Sequence, residues 1–96
     1  MYDIETTNEF DHWLSNMKDG KTQKVIVKRI RTMSTGTLGK VRSLDEGLFE
    51  AKIDYGCGYR LYFVNKEHRI IVLLCGGDKR TQKADIKNAR KMAKEI

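Results

Sequence analysis

The chain has 96 residues, 40% of them hydrophobic and 33% charged, and a formal net charge of +6. That length holds one domain with a small core, and that balance excludes a disordered polyelectrolyte. No apolar run approaches the ~20 residues of a membrane span, no N-terminal stretch reads as a signal peptide, and two cysteines without a histidine cluster make neither a disulfide framework nor a zinc site, so the expectation is a cytoplasmic protein with reduced thiols.

Taken in chain order, Tyr2-Asp3-Ile4-Glu5-Thr6 alternates as a short strand. Thr6 with Glu9 three residues on has the capping-box form. Phe10, Trp13, Leu14 and Met17 then make one apolar helical stripe, which Gly20 ends. A second helix is predicted over Lys21–Met33, with Ile26, Ile30 and Met33 inward and Lys24, Lys28, Arg29 and Arg31 on the other faces, as a solvated surface or an extended RNA or ribosome contact. Ser34 to Gly39 is a loop by composition. Lys40–Leu44 alternates as a strand, Asp45-Glu46-Gly47 turns, and Leu48–Asp54 follows as a strand. Its Phe49, Ala51 and Ile53 share one face; Glu50, Lys52 and Asp54 share the other. Gly56-Cys57-Gly58 is the next turn, and Tyr59–Asn65 the next strand, with Tyr59, Leu61 and Phe63 opposite Arg60, Tyr62 and Val64. Lys66-Glu67-His68 turns again. Arg69–Cys75 is almost continuously apolar and predicts a strand buried on both faces, leading into a glycine turn at Gly76-Gly77. A last helix over Thr81–Glu95 carries Ile86, Ala89, Met92 and Ala93 inward. The predicted fold is α+β: a small twisted antiparallel sheet with an N-terminal helical hairpin and a C-terminal helix, in a single domain over residues 1–96.

Charge is uneven along this plan. Residues 1–17 carry four acids and no Lys or Arg, whereas residues 18–42 carry eight Lys/Arg against one acid. Such a basic domain favours an anionic partner. If the strands from Leu48 and Tyr59 pair, Lys52, Arg60 and Tyr62 project from one face, and Lys79 and Arg80 lean over the neighbouring strand end. Cations pair with phosphates, arginine with two parallel bonds; tyrosine stacks on unpaired bases; the same cations stabilise a pentacovalent phosphate. Simpler roles compete: Arg60 as a cross-strand partner of Glu50 or Asp54, Asp78 as a helix or turn cap, Tyr59 as core, and His12 and His68 as surface or packing residues. No carboxylate cluster suggests a metal, and no cofactor is implied.

The motifs Glu50-Ala51-Lys52-Ile53, Gly56-x-Gly58-Tyr59-Arg60-Leu61-Tyr62-Phe63 and Leu73-Leu74-x-Gly76-Gly77-Asp78-Lys79-x-Thr81-Gln82-x-x-Asp85-Ile86-x-x-Ala89 resemble the RelE/ParE superfamily of toxin–antitoxin toxins, and most closely its HigB-like, phage-derived addiction-module branch. The resemblance covers most of the chain. It implies a metal-independent endoribonuclease that cleaves mRNA, often on the ribosome, and so inhibits translation. The RNA's own 2′-OH is the nucleophile. On that reading Arg60 stabilises the phosphorane, Lys79 or Arg80 takes a matching role, and Lys52 faces the scissile phosphate as a holder or proton acceptor. Tyr62 stacks on a base, Gln82 positions a nucleotide, and Lys40 and Arg42 keep RNA-binding charge on their strand. The resemblance also implies a cognate antitoxin, a helix-turn-helix protein in this branch, with the free toxin monomeric and the complex joined through the antitoxin. Two alternatives are a ParE-type toxin that binds DNA gyrase and a domain that binds RNA or antitoxin without turnover. Cys57 stands where the family often has proline. Nothing after Gln82 supplies a tyrosine or histidine as general acid.

Overall fold

A computed structural model describes Met1–Ile96. Eight elements follow in chain order: β1 (Asp3–Thr6), α1 (Asn8–Ser15), α2 (Gly20–Ser34), β2 (Val41–Ser43), β3 (Leu48–Ile53), β4 (Tyr59–Lys66), β5 (Ile70–Asp78) and α3 (Gln82–Lys94), with one 3-10 turn at Lys79–Thr81 before the last helix. The strands form one sheet in the order β1-β5-β4-β3-β2. Pairing is antiparallel from β2 to β5, as the meander predicts. β1 adds one parallel edge, Asp3 opposite Ile70 through Thr6 opposite Leu73, which makes the sheet mixed.

The first helix is capped one residue later than expected. Thr6 still pairs in the sheet, so Thr7 accepts from the Phe10 amide at 3.1 Å and donates to the Leu74 carbonyl at 2.6 Å. Asp19 caps α2, taking the Lys21 amide at 3.0 Å and the Thr22 hydroxyl at 2.9 Å.

Alternation then sorts the sheet's side chains into two cores. On one face Phe10, Ile26, Met33, Ala51, Ile53, Leu61, Phe63, Ile71 and Leu73 pack beneath the α1–α2 hairpin. On the other, Leu44, Leu48, Tyr62, Val72, Leu74, Cys75 and Ala89 pack beneath α3. A bulge sits opposite Tyr62/Phe63, where the β5 partners step from Cys75 to Leu73; one extra residue, Leu74, is thereby accommodated at the strand's centre. Each fully buried apolar side chain contributes about 1.5–3 kcal/mol, and both faces of β5 take part.

Gly76 and Gly77, expected in a turn, lie inside β5 opposite Leu61 and Arg60. Their role is close approach. A Cβ on Gly76 would fall 2.3 Å from the Trp13 ring, and one on Gly77 1.8 Å from the Asp85 carboxylate. Lacking side chains, they let α1 and the start of α3 press on the two faces of the same strand. Asp78 does act as a cap: its carboxylate accepts from the Arg80 amide at 2.9 Å and opens the 3-10 turn.

Candidate functional site

α3 is shorter than the face it covers. It buries Tyr62 and the middle of β4 but leaves the end of the β3–β4 ladder uncovered. There Lys52 stands directly opposite Arg60. Two cavities meet at this pair. One, of about 300 Å3, is lined by Lys52, Asp54, Tyr55, Gly56, Cys57, Gly58, Arg60 and Lys79. The other, of about 510 Å3, is lined by Lys40, Val41, Arg42, Glu50, Lys52, Arg60 and Gln82. Together they form a groove with five cations, Lys40, Arg42, Lys52, Arg60 and Lys79, against two carboxylates, Asp54 and Glu50.

The carboxylates organise the cations. Asp54 takes Lys40 at 2.8 Å and Lys52 at 3.5 Å; hydrogen bonding from Lys40 first, then its charge and that of Lys52, holds the carboxyl below its ordinary value. Glu50 is 4% exposed. It accepts from Arg42 Nε at 2.7 Å on one oxygen, and from the Tyr62 hydroxyl and Gln82 Nε2, each at 3.0 Å, on the other. Burial is the largest single influence on it and opposes ionisation. The bonds from Arg42, Gln82 and Tyr62 together outweigh that penalty and hold the carboxyl below the usual glutamate value. Burial and the bond to Glu50 push the Tyr62 hydroxyl far up, so it stays a neutral donor.

Arg60 is the centre of the groove and an unusual buried cation, 7% exposed. Its NH1 reaches the Gly58 carbonyl at 3.4 Å. Its Nε is buried without a hydrogen-bond partner, and Glu50 stands off at 3.9 Å. Arg60 borders both cavities. Lys79 makes no ion pair; its amide bonds to the Gly58 carbonyl at 3.1 Å, which ties it to the β3–β4 turn.

The structure thus brings together Lys40, Arg42, Lys52, Arg60, Lys79 and Gln82. It separates two other expected residues. Tyr62, expected to stack on a base, is completely buried under α3 and serves Glu50; strand alternation places it on Arg60's face, but α3 covers that face at its position. Arg80 borders neither cavity; it is outward and paired with Asp78 at 2.9 Å. The aromatic residue at the groove is Tyr55, 36% exposed on the rim. It lies in the loop after β3, where no periodicity marks it. Glu50 was equally hidden as an organising residue, since its sequence pattern is that of any outward-facing strand acid.

Arg29 is also more than a solvated cation. Its guanidinium donates to the carbonyls of Leu38 at 2.9 and 3.2 Å, Lys40 at 3.0 Å and Lys52 at 2.7 Å. Burial lowers its pKa, with Asp54 opposing. By holding the Lys40 and Lys52 backbones from behind, it sets where two groove cations stand.

The largest cavity, about 680 Å3, is a trough between α1 and α2, and no groove cation lines it. No group of three or more His, Cys, Asp or Glu is placed to hold a metal ion. His12 and His68 border neither groove cavity; His68 occupies the β4–β5 turn at φ 56°. No helix is long and apolar enough to cross a membrane.

Three comparisons bear on this arrangement. A family described as phage-derived protein Gp49-like matches residues 12–95. An uncharacterised protein of Haemophilus influenzae is 44% identical over 93 residues, spanning 97% of this chain and 94% of that one. Among solved structures, a chain of the intact E. coli RelBE toxin–antitoxin complex superposes with a TM-score of 0.64 at 12% identity, over 81% of this chain and 96% of that chain. At that identity the likeness is one of fold.

Proposed function

Because the chain belongs to the Gp49-like family of phage-derived proteins, with the fold of a chain in the RelBE complex, we propose that it is the toxin of a toxin–antitoxin pair, and that it acts as a metal-independent endoribonuclease on mRNA. Its Gly58-Tyr59-Arg60 and Gly76-Gly77-Asp78-Lys79 motifs favour the HigB-like branch. The observation that carries the nuclease reading is Arg60: a buried guanidinium with an unpartnered Nε, between two open cavities, beside Lys52 and Lys79. A phosphate at that point meets three cations of fixed position in a partly water-excluded site, where charge stabilisation is strongest.

The reaction needs no group beyond the RNA and these residues. The 2′-oxygen attacks the adjacent phosphorus, the P–O5′ bond breaks, and the products are a 2′,3′-cyclic phosphate and a free 5′-OH. The 2′-OH loses a proton and the 5′-oxygen gains one. Arg60 and Lys79 neutralise the extra charge of the phosphorane, and Lys52 holds the scissile phosphate or takes the 2′ proton. Gln82, oriented by Glu50, and Tyr55, exposed on the rim, contact the flanking nucleotides. Lys40 and Arg42 extend the track for the backbone. No imidazole borders the groove, so rate acceleration is assigned to cation stabilisation and positioning. The partner is an antitoxin that masks these cations, and the ribosome presents the substrate.

The test is cleavage of single-stranded RNA and of mRNA on translating ribosomes by the purified chain, with end-group analysis. Cyclic phosphate ends from the native chain, and a loss of about 10²–10³ in rate for a folded Arg60→Ala variant, are expected. A folded native chain that cuts in neither setting but inhibits DNA gyrase overturns the nuclease reading.

A further inference from the structure

Cys57 takes no part in the chemistry above. It is the exposed free thiol of the chain, at the tip of the β3–β4 hairpin, and it borders the 300 Å3 cavity with Lys52, Arg60 and Lys79. Gly56 and Gly58 flank it at φ 59° and 87°. The bond from the Lys79 amide to the Gly58 carbonyl, 3.1 Å, joins the thiol's turn to the Lys79 backbone.

An independent feature marks this cavity as one for an anion. Arg60, 7% exposed, borders it with an Nε that has no hydrogen-bond partner. A buried, unpaired guanidinium N–H is costly, and an anionic ligand relieves the cost.

We propose that Cys57 forms a reversible mixed disulfide with an anionic small-molecule disulfide of the glutathione class, its carboxylates held by Lys52, Arg60 and Lys79. The Cys57 thiolate attacks one sulfur of the disulfide. The S–S bond of the small molecule breaks as the new one forms, and its other half leaves as a thiolate that takes up the proton Cys57 released. One disulfide replaces another, so no further oxidant is needed, and excess thiol reverses the step. The adduct occupies the space and the cations assigned to an RNA phosphate and closes the groove. That consequence rests on the RNA reading; the exchange does not. Cys75 is not a second site: it is 3% exposed, and burial first, then Glu9 and Asp85, pushes its thiol up to about 12.

The experiment treats the reduced chain with oxidised glutathione or with cystamine, a cationic disulfide, and follows adducts by intact-protein and peptide mass spectrometry. One adduct is expected, on Cys57, forming about tenfold faster with oxidised glutathione than with cystamine. Lys79→Gln should erode that preference. Lys94→Gln, which removes the same charge near the far end of α3, should leave it. Equal rates for the two disulfides, or equal effects of the two lysine variants, would reduce Cys57 to an ordinary surface thiol and overturn the site. In a second arm the adduct should bind single-stranded RNA about tenfold more weakly, as expected when phosphate contacts are lost, with recovery in dithiothreitol and no response in Cys57→Ser. Undiminished RNA binding by the adduct overturns the closure. A reduced chain with no RNA affinity sinks the RNA reading instead, and the mass data still decide the exchange.

Discussion

Glu50→Gln removes one charge from the floor of the groove and changes little else in shape. The carboxylate accepts from Arg42, Tyr62 and Gln82 at 2.7–3.0 Å. A glutamine keeps one acceptor oxygen, which can face Tyr62 and Gln82, while its amide turns toward Arg42. The Arg42 side chain is 59% exposed, so it swings into water at a loss of about 0–1 kcal/mol. The two inner bonds fall from charge-assisted to neutral, about 1 kcal/mol each. Relief of the buried charge opposes these losses, but the lowered Glu50 pKa shows that the donors win. The net cost is about 2 kcal/mol at neutral pH, a fall of roughly 8–16 °C in Tm for a domain of this size. Because the folded-state pKa lies below the unfolded one, the stabilisation is complete above the ordinary glutamate value and is lost as pH falls through the folded value. Urea and thermal unfolding of both proteins, followed by circular dichroism from neutral to acid pH, should show a gap that closes on the acid side. A glutamine variant as stable as the native chain at neutral pH, or a gap indifferent to pH, would refute the account of Glu50 as a net stabilising hub.

Tyr55→Ala should weaken single-stranded RNA binding by about 1–3 kcal/mol and leave the melting temperature unchanged. Tyr62→Phe should do the reverse, costing about 1–2 kcal/mol of stability through its buried bond to Glu50 with RNA affinity intact; swapped outcomes would return Tyr62 to the binding surface. Gly77→Ala drives a methyl into Asp85 and Gly76→Ala drives one into Trp13, so each should lose about 1–3 kcal/mol or more in urea unfolding. An Asp85→Ala change should recover part of the first loss and none of the second. Asp19→Ala removes the α2 cap and should cost about 1 kcal/mol, read as a lower urea midpoint at constant slope.

The element order was legible because each segment repeats its period. Phe10, Trp13, Leu14 and Met17 recur at helical spacing, and Phe49, Ala51 and Ile53 alternate with Glu50 and Lys52, so the α+β class and the strand faces follow from pattern. The shared face of Lys52 and Arg60 was legible for the same reason. Gly76-Gly77 was read as a turn because glycine usually punctuates strands. Here Trp13 and Asp85 press on the two faces of β5, and that contact lies far off in sequence. The parallel edge of β1 was equally invisible, since pairing partners of a four-residue strand are set by the helices that return it to the sheet.

Periodicity by itself determined which side chains share a face of the sheet, and charge by itself determined that one end of the chain's plan is cationic. What covers a face is a tertiary matter. α3 lies across the outer face of β4 and β5, so Tyr62 goes inside while Arg60, two residues earlier on the same face, remains at the edge of an open groove. The same boundary makes Glu50 a buried acceptor and leaves Lys52 exposed. Where the helix stops, desolvation stops, and side chains two residues apart are core on one side of that line and binding surface on the other.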